Sequence, residues 1–249
     1  MTNTILLVVL AVSSYFFGNI NWALIISKSK KTDIRNIGSG NPGTLNMSRT
    51  FGLKTGLFTF FLDVLKGALP TLIAFFVFNN KYFDNSKFLI SDFAIYLCGL
   101  FVVLGHIYPV FLKFKGGKGI ASSIGVLVVC ESVHGLNWAI VMIMALVCAV
   151  LFIYFTEFGA MGSFIAITPP AISGGIRLFL DYQEVTFGVT PVFYIITAML
   201  IFLLCFFTWF AHRKNIQRML SGDEHPTSIK GMVVKARLKK QEEQKNKNN

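Results

Sequence analysis

Charge is sparse in this chain, and acidic charge sparser still. Asp and Glu number 12 against 23 Lys and Arg, and charged residues make up 14% of 249 positions. With 54% hydrophobic residues and a mean hydropathy of +0.62, the chain lacks the polar skin of a soluble domain. Cysteine is thin as well. Cys98, Cys130, Cys148 and Cys205 all sit in apolar runs, which excludes a disulfide framework and offers no metal-ligand spacing. Several catalytic signatures are missing, among them a G-x-S-x-G elbow, an HExxH zinc motif and the D-G-x-x-A-R run of CDP-alcohol transferases. No His is followed five positions on by Asp; those positions hold Phe111, Ala139, Gln217 and Lys230, so the H-x4-D motif of many glycerolipid acyltransferases is absent. No internal repeat is visible, which removes the inverted-repeat signature of many transporters.

What is present is an all-α pattern of long apolar spans, at about 5–27, 56–78, 91–112, 119–133, 136–156, 159–180 and 190–211. Most reach the ~20 residues that cross a ~30 Å hydrocarbon core. The stretch 119–133 is short, and Gly135 parts it from the next; it is either a short crossing inside the bundle or a re-entrant helix. The N-terminus lacks a positive n-region and its span runs on to Ile26, which favours an uncleaved helix over a signal peptide.

The basic residues are unevenly placed: six fall in 28–54, three in 113–118 and ten in 213–249. A formal charge of +11 can signal nucleic acid, but no recognition module is present and the charge flanks hydrophobic spans. That is the pattern of cytoplasmic loops beside an anionic membrane. It predicts an outside N-terminus, a cytoplasmic C-terminus and seven crossings, or five if 119–156 does not span. The expected organisation is one membrane-embedded domain over 1–212 and a basic tail over 213–249, solvated and partly disordered.

Three polar clusters fall on the predicted cytoplasmic side. The first runs from Gly38 through Ser39, Gly40, Asn41 and Gly43 to Asn46 and Arg49. Its chance match to G-x-G-x-x-G has no strand before it; a tight turn ahead of a helix, receiving an anion with Arg49, is the more physical reading. An ordinary polar loop is the alternative. The second, Lys113-Phe-Lys115-Gly116-Gly117-Lys118-Gly119, does not fit a Walker motif: Leu112 stands where its first Gly belongs and Gly119 replaces the Ser or Thr. It makes a phosphate cradle, or else inward-facing lysines around a hinge. The third holds His212, Asn215, Arg218, Gly222 and Glu224. His212 and Asn215 share a helix face and can reach one ligand, although a basic helix end meeting headgroups has the same look.

Single residues say less. His106 reads as a structural hydrogen-bonding group, His134 and His225 as loop residues, and Glu131 and Glu157 as span ends. Asp63 and Lys66 differ, because charge inside a span is expensive; they read as an i,i+3 pair facing the bundle interior. From the residues alone, an enzyme acting on phosphorylated substrates competes with a secondary transporter for a phosphorylated solute. Scarce intramembrane charge and the lack of a repeat count against the transporter. A non-catalytic scaffold leaves the clusters unexplained.

In order and in residue content the three clusters, with Asp63-Lys66-Gly67 and Gly105-His106…Pro109, resemble the bacterial acyl-phosphate:glycerol-3-phosphate acyltransferase family. The resemblance covers nearly the whole chain. It departs at Thr44-Leu45, at Ala211 and at Gly18-Asn19-Ile20-Asn21. It implies a seven-helix enzyme of the bacterial inner membrane with its active site facing the cytoplasm. Such an enzyme moves an acyl group from acyl phosphate to the 1-hydroxyl of glycerol 3-phosphate, giving lysophosphatidic acid and phosphate without cofactor or metal. Ser39, Arg49 and Lys118 are expected to hold the acyl phosphate, and His212 and Asn215 to orient the glycerol hydroxyl. Lys115 and Arg218 would meet the second phosphate, with Gly40, Asn41, Gly43, Asn46, Gly116, Gly117 and Gly119 shaping the phosphate loops. His106 and Glu224 would support them. An acyl phosphate arrives activated, so no Ser or Cys nucleophile is required.

Overall fold

A computed structural model describes residues 2–83, 88–185 and 192–224, and beyond them 226–228, 230, 231, 233, 234, 237, 238 and 241. His225 and most of the chain beyond residue 228 therefore lie outside the described residues. The helices are α1 (Thr2–Gly18), α2 (Trp22–Ser29), α3 (Thr44–Phe51), α4 (Leu53–Phe78), α5 (Ile90–Ile107), α6 (Ile120–Ser132), α7 (Leu136–Thr156), α8 (Gly159–Val185), α9 (Val192–Ala211) and α10 (Arg213–Ser221). Among the described residues, six helical stretches are long and apolar enough to cross a membrane, the first being α1 and α2 together. Their outer faces carry exposed apolar side chains, such as Ile143, Val147 and Phe155 of α7, as a lipid-facing surface requires.

The first span is not continuous. α1 stops at Gly18, and Asn21 caps α2 by accepting the Leu24 N–H at 3.0 Å. Packing at that end is close: a Cβ on Gly18 would lie 2.3 Å from the Val102 carbonyl oxygen, and one on Gly105 2.1 Å from that of Tyr15. Two glycines let α1 and α5 touch backbone to backbone, the usual contact between helices in lipid. α4 and α6 meet in the same way.

α6 has 13 residues, about 20 Å at 1.5 Å per residue. It nevertheless pairs with α5 along its length. Before it, Gly117 N–H donates to the His106 carbonyl at 3.1 Å; midway, Gly99 packs on Val126; beyond it, His134 Nε2 lies 3.7 Å from Asp92 Oδ1. α6 thus runs back from the end of α5 to its start. Around that far end sits a buried polar group: Arg177 contacts Asp92 at 3.8 Å and Asp181 at 2.6 Å, and Ser173 donates to Glu131 at 2.9 Å. Glu131 is therefore more than a span-end residue, because Ser173 on α8 holds it, while His134 only approaches Asp92. Two residues of this group, Arg177 and Asp92, lie in apolar spans, where sequence alone did not single them out.

Candidate active site

At the opposite end of the bundle the three sequence clusters converge on one cavity of about 270 Å³. Its polar wall carries Ser39, Asn41, Gly43, Asn46 and Arg49 from the α3 loop and helix, Lys118 and Gly119 ahead of α6, and His212, Asn215, Arg218 and Glu224 around α10. Asp63 and His106 line it too. Phe60, Ile124, Leu146, Ala149, Ile153 and Ala166 extend it as an apolar wall between α4, α6, α7 and α8. From Ile153 to Leu146 this wall is about 10 Å deep. One cavity thus joins a cationic floor to a greasy slot.

The α3 loop is built by glycine and asparagine. Gly38 and Gly40 adopt φ of +60° and +68°, which other residues rarely take. Asn46 accepts the Ser39 N–H at 3.2 Å and donates to the carbonyls of Ile37 at 2.9 Å and Ile34 at 3.2 Å. Its amide is spent on holding the loop. Ser39 is left exposed, and its hydroxyl has no protein partner among the described residues.

Two of the glycine amides before α6 are taken up within the protein. Gly116 N–H donates to the Ile107 carbonyl at 3.2 Å and Gly117 N–H to that of His106, so neither amide points at a ligand. Both glycines are there for contact. A Cβ on Gly116 would meet the His106 oxygen at 2.0 Å, and one on Gly117 the His106 Nε2 at 2.2 Å. Lys115 is exposed and does not reach the cavity wall. What this segment presents to the cavity is Lys118 and the N-terminus of α6, which Gly119 opens with φ +84°.

Beneath this loop a buried ionic group fixes the floor. Lys66 Nζ contacts Asp63 Oδ1 at 3.0 Å and His106 Nδ1 at 2.7 Å, and donates to the Ile20 carbonyl at 2.7 Å. The expected Asp63–Lys66 pair is present, and it also grips His106 and the break between α1 and α2. That third partner has no signature in sequence.

Lys118 donates to Asn215 Oδ1. Asn215 passes its amide N–H to Glu224 at 2.6 Å, and Glu224 accepts from Arg218 Nε at 3.0 Å. Asn215 therefore orients Lys118 rather than standing free for a hydroxyl. Burial, then the neighbouring Arg218 and Arg49, hold the Lys118 ammonium down at about 8 against the opposing pull of Glu224. His212 Nδ1 lies 2.9 Å from the Thr208 carbonyl, an acceptor only, so the ring's hydrogen sits on Nδ1 and Nε2 keeps its lone pair. Burial, then the Lys118 charge, hold His212 at about 4, which leaves a neutral imidazole at pH 7.

A family model for glycerol-3-phosphate acyltransferase matches residues 8–222. The chain belongs to the glycerol-3-phosphate acyltransferase family. Curated acyltransferases of that description from Mycoplasmopsis pulmonis and Thermoanaerobacter pseudethanolicus are 35% and 36% identical over 218 and 220 residues, covering 85% and 87% of this chain and 88% and 93% of theirs. The crystal structure of PlsY (YgiH), an integral membrane glycerol 3-phosphate acyltransferase, in its glycerol 3-phosphate form is similar with a TM-score of 0.69 and 30% identity. It covers 91% of this chain and 98% of that one. The lysophosphatidic acid form of the same enzyme matches with a TM-score of 0.67. The acyltransferase is thus an integral, multi-pass membrane enzyme, and the family match takes in the first two clusters and the third as far as Gly222.

Thr227 also lines the cavity, and its signal in sequence was nil: it lies past the third cluster in an unremarkable polar stretch. With Asn215, Arg218 and Glu224 it carries the site wall beyond position 212, so a boundary there would divide the cavity.

Proposed function

We propose that this acyltransferase takes its acyl group from an acyl phosphate and delivers it to the 1-hydroxyl of glycerol 3-phosphate, with lysophosphatidic acid and inorganic phosphate as products. The observation that carries the reading is the single cavity in which a cationic floor adjoins an apolar slot. An acyl chain fits the slot, and a phosphate held by Arg49, Lys118 and the α6 N-terminus sits at its head. Ser39 adds a hydroxyl donor. The glycerol oxygen attacks the acyl carbon, the bond from that carbon to the phosphate oxygen breaks, and the phosphate leaves with its developing charge met by Lys118 and Arg49. The hydroxyl proton passes to His212 Nε2, whose lone pair is free. Arg218 meets the phosphate of glycerol 3-phosphate, Asn215 and Glu224 aim Lys118 and Arg218, and Asn46 and His106 brace the two loops.

Seven crossings, with the cavity on the cytoplasmic side of a bacterial inner membrane, complete the proposal. The end-to-end pairing of α6 with α5 supports a full crossing over a re-entrant helix, and the basic loops gather at the cavity end. Purified enzyme given palmitoyl phosphate and glycerol 3-phosphate is expected to release phosphate and lysophosphatidate in equal amounts. No product from acyl phosphate, with turnover from an acyl thioester instead, would overturn the donor assignment.

A further inference from the structure

Thr227 lies five residues past the segment matched by the family model, yet it is only 3% exposed. Its N–H donates to the Glu157 carbonyl at 2.7 Å, in the left-handed turn between α7 and α8. Its hydroxyl accepts from Arg49 Nη2 at 3.0 Å, and the same nitrogen donates to the Pro226 carbonyl at 3.1 Å. Three residues on, Lys230 Nζ stands 4.6 Å from the centre of the Tyr154 ring and gives the segment a second hold on α7. The segment therefore ties Arg49 of α3 to the α7–α8 turn along the cavity wall.

Both bonds use one nitrogen of the guanidinium. Among the described residues Nε and Nη1 of Arg49 have no protein partner, so the donors that would grip a phosphate remain available. A long, exposed arginine otherwise loses rotamer freedom whenever it takes hold of a ligand, and a side chain anchored beforehand loses less. The arrangement resembles a wrist held while the fingers stay open.

We propose that Thr227 is a positioning residue that pre-sets Arg49 for the phosphate of the acyl donor, through a segment that lies outside the family pattern. The proposal rests on the reading of Arg49 as a ligand of that phosphate. Thr227→Val removes the hydroxyl at nearly constant shape, while Thr227→Ser keeps it. In full-length enzyme, Thr227→Val is expected to raise KM for palmitoyl phosphate roughly three- to tenfold, the net worth of one ordinary hydrogen bond, since Arg49 keeps its bond to the Pro226 carbonyl. KM for glycerol 3-phosphate and the melting temperature should stay close to the wild type, and Thr227→Ser should restore the donor KM. An unchanged donor KM in Thr227→Val, beside an Arg49→Ala enzyme that has lost turnover, would overturn the positioning role alone. A lower donor KM would overturn it too, by showing that the segment restrains Arg49. Should Arg49→Ala keep full turnover, the parent reading falls and the proposal with it. If Thr227→Val unfolds, a normal donor KM in folded Thr227→Ala overturns the proposal and a raised one supports it.

Discussion

Lys118 shows how a residue legible in sequence acquires its chemistry from neighbours. Its charge and glycine flanks mark it out, but burial and two nearby arginines set its ammonium at about 8. In the proposed mechanism the charged form meets the departing phosphate, and it is fully present only below that value. Turnover is therefore expected to fall as pH rises through about 8. Lys118→Arg, slower in absolute terms, should lose that alkaline limb because a guanidinium stays charged there; an unchanged limb would assign it to another group. His212 sits at about 4 and is neutral through the working range, so no acid limb from it is expected between pH 5 and 7. Its removal as general base in His212→Ala should lower kcat by about 10²–10⁴. A loss below tenfold would pass the proton to the substrate's own phosphate.

Among the elements, the α4–α5–α6 contact decides whether the floor of the cavity holds. Lys66, Asp63 and His106 are buried together, and a buried pair broken from one side is costly. Lys66→Met is expected to destabilise the enzyme by about 3–5 kcal/mol, read as a lower melting temperature in detergent. Lys66→Met combined with Asp63→Leu should recover much of that loss, since no lone charge then remains; failure to recover would mean that Lys66 acts through Ile20 and His106 alone. The apolar slot belongs to this scale as well. Ala149 and Ala166 are small where α7 and α8 face the cavity, and Ala149→Phe should shorten it. The preference for long over short acyl donors should then drop at least about tenfold, measured as a ratio of kcat/KM values.

For the whole molecule, the question is how often the chain crosses. Lys81, Asn137 and Lys115 follow α4, open α7 and follow α5. In the seven-crossing arrangement, single cysteines at Lys81 and Asn137 react with an impermeant maleimide from outside, and one at Lys115 reacts only from the cytoplasmic face. Labelling of Asn137→Cys from the cytoplasmic face would make α6 and α7 a re-entrant pair. Sequence favours seven over five through the placement of basic loops, but the 119–133 stretch is too short for hydropathy alone to carry that choice. The pairing of Gly117 with His106 and of His134 with Asp92 is a tertiary fact.

The same division runs through the molecule. The sequence by itself determined the membrane class, the span positions to within a few residues and the three polar clusters, because lipid demands long apolar runs and charge gathered between them stands out. Asp63 and Lys66 were readable as a pair because their spacing puts them on one helix face. Only the tertiary structure decided that Gly116 and Gly117 serve contact with His106, that Asn215 and Asn46 serve the frame, and that Thr227 reaches Arg49 across 178 positions of chain. A hydrogen bond has no memory of sequence distance, so which donor meets which acceptor is fixed only when the helices pack.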